Sequence, residues 1–76
     1  MSPRLPALTP RKVLAALNRA GFIVHHTRGS HYSLKHPDQP QLTVTVPYHN
    51  RDLKQGTLRS IIRQAGMTVE EFLNLL

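Results

Sequence analysis

Apolar residues along the chain change their spacing twice, and each change marks a different kind of element. Val13, Leu14 and Leu17, supported by Ala16 and Ala20, recur at the three- and four-residue spacing of one helix face. Thr9 ahead of them is an N-cap, and Pro10 takes the first helical position, where its missing N–H costs nothing. Gly21 closes this helix, because a left-handed residue there needs no Cβ. From Phe22 the pattern turns β-rich: residues 22–27 predict a first strand, Arg28-Gly29-Ser30 a turn, and His31 to His36 a second strand. Pro37-Asp38-Gln39-Pro40-Gln41 is expected to form a polar hairpin loop, since proline does not continue a central strand. Leu42, Val44 and Val46 then alternate with Thr43 and Thr45, as in a half-buried antiparallel strand that Pro47 ends. After a loop from Tyr48 to Lys54, the helical period returns with Leu58, Ile61, Ile62 and Ala65, and Gly66 stops it. Thr68 with Glu71 is a capping-box pair; it opens a short last helix in which Val69, Phe72, Leu73 and Leu76 share a face, with Leu75 pointing outward and Leu76 open to exposure at the helix end. Residues 1–8 hold two prolines and no period, and read as a flexible N-terminal arm before one domain over 9–76.

This order predicts an α+β fold, α-β-β-β-α with an extra short C-terminal helix. Both main helices need an apolar surface, so they should cover one face of a three-stranded antiparallel sheet and leave the other wet. That arrangement is the one found in double-stranded-RNA-binding domains, which read RNA through shape, phosphates and 2′-hydroxyls. Fold alone does not define function.

Charge sharpens the picture. The 76 residues carry ten Lys and Arg against four Asp and Glu, a net +6. All ten cations lie at or before Arg63, with only Asp38 and Asp52 against them, so residues 1–63 carry +8. A small basic body suits a polyanion, most often nucleic acid, or an acidic protein partner. Cysteine is absent, which removes disulfides, thiol nucleophiles and Cys-based metal sites, and fits a reducing, cytoplasmic location. No apolar run approaches the roughly 20 residues of a membrane span, and the first ten residues lack the apolar stretch of a secretory signal. The chain is too short for a large enclosed substrate cavity but long enough for a shallow surface site.

Four scattered carboxylates show no ligand spacing, so neither a catalytic metal nor a cofactor is expected. No serine stands in a nucleophile-elbow context. Histidine is the remaining chemistry, with five in the chain. His25 and His26 are adjacent on a strand and should face opposite sides, while His36 precedes Pro37 and reads as a surface residue. His31 follows Gly29-Ser30 and shares a strand face with Ser33 and Lys35, opposite the core-seeking Leu34. It should therefore look onto the open sheet face, with Arg28 and Lys35 nearby. An imidazole there can exchange a proton near neutral pH; an ordinary surface histidine fits the same pattern.

Gly21, Gly29-Ser30-His31, Val44, Val46-Pro47 with His49, and Leu53-Lys54 followed by the Gly56-Thr57-Leu58-Arg59-Ser60-Ile61 run and Gln64-Ala65-Gly66 together resemble the HicA family of toxins. The likeness covers about Thr9 to Gly66. It implies the toxin of a type II toxin–antitoxin system: a metal-independent endoribonuclease, or mRNA interferase, with mRNA as substrate and a HicB-type antitoxin as inhibitory partner. By the same resemblance His31 is the catalytic general acid or base. Arg28 and Lys35 would hold the phosphate, with Gly29 and Ser30 positioning the strand. His49, at the family's Pro-x-His position, is a candidate for RNA binding or for a partner acid; Lys54 and Arg59 flank the second helix's start, where phosphate is attracted. Tyr48 could stack a base. The alternative is a non-catalytic RNA-binding module of the same fold, and a third reading is a pure interaction protein.

Overall fold

The computed structural model describes residues 4–76; the first three residues of the expected arm lie outside them. The elements are α1 (Pro10–Arg19), β1 (Ile23–Arg28), β2 (His31–His36), β3 (Gln39–Pro47), α2 (Gln55–Gln64) and α3 (Val69–Leu73). The strands form one antiparallel sheet in the order β1-β2-β3, with β2 in the centre. This is the α-β-β-β-α arrangement that the hydrophobic pattern predicts.

Local chemistry sets the helix ends. The Thr9 hydroxyl accepts the Lys12 N–H at 3.4 Å, and Pro10 follows at the first helical position. At the other end of α1, Gly21 donates to the Asn18 carbonyl and Phe22 to that of Leu17, both at 3.0 Å, the paired bonds of a Schellman stop. Gly21 adopts φ +99°, where a side chain is strained. The same stop recurs after α2, with Gly66 donating to Arg63 and Met67 to Ile62, and Gly66 at φ +72°. Thr68 and Glu71 form the expected reciprocal capping box, with bonds of 3.1 and 2.8 Å.

The core lies between the helices and one sheet face. Leu34, Val44 and Val46 from the sheet meet Val13, Ala16 and Leu17 from α1 and Leu58, Ile61 and Ile62 from α2, all buried. Burying each of these Val, Leu and Ile side chains contributes about 1.5–3 kcal/mol relative to leaving it in water. The helices cover β2 and β3 but not β1. Val24 pairs with Leu34 and shares its face, yet it is 47% exposed, and every β1 residue is exposed.

Four expectations change. Residues 4–8 form no helix or strand, but Leu5 and Leu8 are buried core residues and Leu8 accepts the Leu53 N–H at 2.8 Å. This part of the arm is therefore anchored, because the small core recruits every nearby leucine. The first turn is Gly29-Ser30 alone, so Arg28 belongs to β1 and pairs with His31. The second hairpin turns at Pro37-Asp38, and β3 starts at Gln39, which pairs with His36 after a register irregularity. Pro40 is tolerated because β3 is an edge strand, where a missing N–H need not break a ladder. Finally, α3 stops at Leu73; Leu76 is 50% exposed, while Leu75, expected to point outward, packs against the core.

Candidate active site

The chain's path brings the β1–β2 turn, the end of β3 and the starts of both main helices to one pole of the domain. Tyr48, just past β3, donates its N–H to the Ser30 carbonyl at 2.6 Å, extending the sheet beside the turn. An open depression of about 700 Å³ joins the first turns of α1 (Thr9, Arg11, Lys12, Ala15) to Tyr48, His49 and Asn50. A second, of about 470 Å³, joins Pro47 and His49 to Arg51, Asp52, Lys54 and Thr57 at the start of α2. His49 lines both. Asp52 is the one carboxylate among the residues lining them.

His31 opens β2 at this pole. Its register partners are Arg28 on β1 and Pro47 on β3, and it is exposed. Residues paired across strands share a face. The uncovered face therefore carries Ile23, His26 and Arg28 from β1, His31, Ser33 and Lys35 from β2, and Thr43, Thr45 and Pro47 from β3. Gly29, φ +57°, occupies the first of two turn positions, where a tight hairpin favours glycine, and Ser30 occupies the second; both are exposed. Nothing fills the space where a Gly29 Cβ would stand.

The other expected residues divide into two groups. His49 and Lys54 lie at the same pole and share the smaller depression; Lys54 is the N-cap residue of α2, exposed, with no side-chain capping bond. The Nδ1 of His49 accepts the Arg51 N–H at 3.1 Å, so the neutral ring carries its proton on Nε2. Lys35 lies four residues along β2 from His31, about 13 Å away at strand spacing, and is half-buried. Arg59 is exposed on α2 and lines neither depression. The structure thus gathers Arg28, Gly29, Ser30, His31, His49 and Lys54, and leaves Lys35 and Arg59 apart from them.

Three cations at this pole escape a reading by motif: Arg11, Lys12 and Arg51. The sequence holds one signal for the first two. They occupy the first turn of α1, which has no acidic residue, and cations there oppose the helix dipole at a cost of about 0.3–1 kcal/mol each. A locally unfavourable placement of this kind points to use.

The remaining histidines are accounted for by structure. His25 sits in a register irregularity between Val24 and His26, which breaks the simple alternation and puts His26 opposite Ser33 on the uncovered face. His36 is half-buried rather than an ordinary surface residue. Its Nδ1 accepts the Asp38 N–H at 3.1 Å, its Nε2 lies 3.0 Å from the Ala20 carbonyl, and its ring meets Phe22 edge-on at 5.1 Å. Among the described residues no three His, Asp or Glu side chains are grouped so that they could hold a metal ion. No helix among them is long and apolar enough to cross a membrane.

Fold and pole together define a small basic α+β domain of the double-stranded-RNA-binding arrangement, with a histidine at the cationic end of an uncovered sheet. Residues 10–67 match the family described as HicA toxin of bacterial toxin–antitoxin, and the chain belongs to that family. The match runs from the start of α1 to just past α2 and leaves α3 outside it. A comparison with curated proteins finds no match.

Proposed function

We propose that this toxin is a metal-independent endoribonuclease that cleaves mRNA in the cytoplasm, with His31 as its proton-transfer group. RNA carries its own nucleophile. The 2′-hydroxyl attacks the adjacent phosphorus; the O2′–P bond forms, the P–O5′ bond breaks, and the chain ends as a 2′,3′-cyclic phosphate and a free 5′-hydroxyl. The protein must take the proton from O2′, return one to O5′, and stabilise charge on the phosphate oxygens. His31 performs one of the two proton transfers. Arg28 is its cross-strand neighbour, and its guanidinium would hold the phosphate presented to the imidazole. His49, with its proton on Nε2, stands at the same pole and is suited to assist.

The observation that carries this reading is the position of His31: exposed, on the uncovered face, beside Arg28. A HicB-type antitoxin would silence the enzyme by covering that face, burying His31 and neutralising the surrounding cations. The test is incubation of the purified protein and of His31→Ala with RNA in EDTA. Cleavage by the parent and none by the variant, with equal melting temperatures, is the expected result. Undiminished cleavage by His31→Ala would remove His31 from the mechanism. Intact RNA with a salt-sensitive mobility shift would identify the protein as a non-catalytic binder.

A further inference from the structure

The larger depression, between α1 and the loop after β3, is not required by the cleavage chemistry. The geometry points to a subsite there for one unpaired nucleotide flanking the scissile bond, so that the substrate is single-stranded RNA. This inference rests on the nuclease reading for the existence of a scissile bond, and on the depression itself for the rest.

Tyr48 is the centre of the argument. Its ring stacks on Tyr32, with centroids 4.7 Å apart and planes inclined by 17°. Tyr32 is half-buried and packed against the core, so one face of Tyr48 is backed by a fixed ring. Tyr48 also lines the depression, where a base can extend the stack. Aromatic platforms of this kind hold unpaired bases of any sequence. A base inside a duplex is already stacked on its neighbours and has no face to offer, so the subsite selects an unpaired strand.

The walls fit the rest of a nucleotide. Ala15 supplies an apolar floor, the Asn50 amide can both donate to and accept from a base edge, and Arg11 and Lys12 provide cations for a phosphate. The volume of about 700 Å³ lies within the range of small-ligand clefts, about 300–1,000 Å³. The site is also continuous with the chemistry: Tyr48 is hydrogen-bonded through its backbone to Ser30, the residue before His31, and His49 forms part of the wall. A strand held at His31 would pass round the end of the sheet, over the loop after β3, to enter the groove.

The test uses fluorescence anisotropy on the full-length His31→Ala protein with a labelled single-stranded RNA oligonucleotide and a series carrying one abasic residue at successive positions. At one position the abasic residue should weaken binding by about tenfold, the scale of one lost base stack. In the Tyr48→Leu background the same abasic residue should change binding less than about twofold, whereas Tyr48→Phe, which keeps the platform, should behave as the parent. The duplex of the same sequence should bind about tenfold more weakly. Equal affinity for duplex and single strand, or parental binding of the intact oligonucleotide by Tyr48→Leu with Asn50→Ala, would overturn the subsite. The nuclease reading is scored separately, by cleavage of the same oligonucleotide by the His31 protein in EDTA. An uncut RNA with the abasic effect intact would refute the nuclease and support the subsite.

Discussion

His36 and His31 end the same strand, and they differ in exposure, hydrogen bonding and ring contact. At His36 both ring nitrogens are engaged, one by the Asp38 N–H and one by the Ala20 carbonyl, and the ring packs edge-on against Phe22. The imidazole there is a clamp between the end of β2 and the C-cap of α1. It has no free lone pair for a substrate. At the other end His31 is exposed beside Arg28 on the uncovered face. In the proposed mechanism, the pole at which a histidine lies therefore decides whether it can reach RNA. At His36's pole the chain closes on itself through the α1 stop, and at His31's pole turns, loop and helix starts leave an open cationic rim.

Alanine at each position should give opposite profiles. His31→Ala should lower cleavage by about 10²–10⁴-fold, the usual worth of a general acid or base, and leave the melting temperature unchanged because the side chain is exposed. Gly21→Ala attacks the clamp from the other side. Its Cβ would stand 2.6 Å from the His36 Nε2, on a backbone at φ +99°. A loss of about 2 kcal/mol in chemical denaturation is expected, with cleavage per folded molecule unchanged. His36→Ala should cost about 1–2 kcal/mol through its lost hydrogen bonds and ring contact, again without effect on folded-state cleavage. A catalytic defect in either clamp variant would break the contrast.

Smaller effects refine the open pole. Arg28→Ala should reduce kcat about tenfold, as a single charge-assisted contact to phosphate would. Lys35→Ala, about 13 Å along the strand, should change it less than about threefold. Equal losses from the two would mean that the RNA runs along β2 rather than across the pole. Raising salt should weaken RNA binding steeply, and less steeply once Arg11 and Lys12 are replaced together by alanine.

Much of the fold was legible in the linear pattern because its signals are short-range. Thr9-Pro10, the glycine stops at 21 and 66, the Thr68–Glu71 box and the alternation from Leu42 to Val46 each act within a few residues, and each appears as expected. Misreadings arose where a residue's role depends on its neighbours across the sheet. Pro40 argued for a loop and stands in a strand, because β3 is an edge. Leu5 and Leu8 showed no period and are buried, because the core needed them. Leu75 turned inward onto the core once α3 ended at Leu73.

The candidate site divides along the same line. His31 on the outward face beside a tight glycine turn follows from strand parity and the turn residues alone. The company it keeps does not. Arg11 and Lys12 lie some twenty residues from His31 in the chain and Arg51 as far on the other side. They reach one pole only because α1 packs back along the sheet and the loop after β3 bonds to the first turn. The chain's own pattern decided which side chains are polar, which face they take and where each element stops, since these depend on periodicity and capping. Tertiary packing decided which histidine is a clamp and which stands open, and which cations surround it, since those depend on contacts between distant segments.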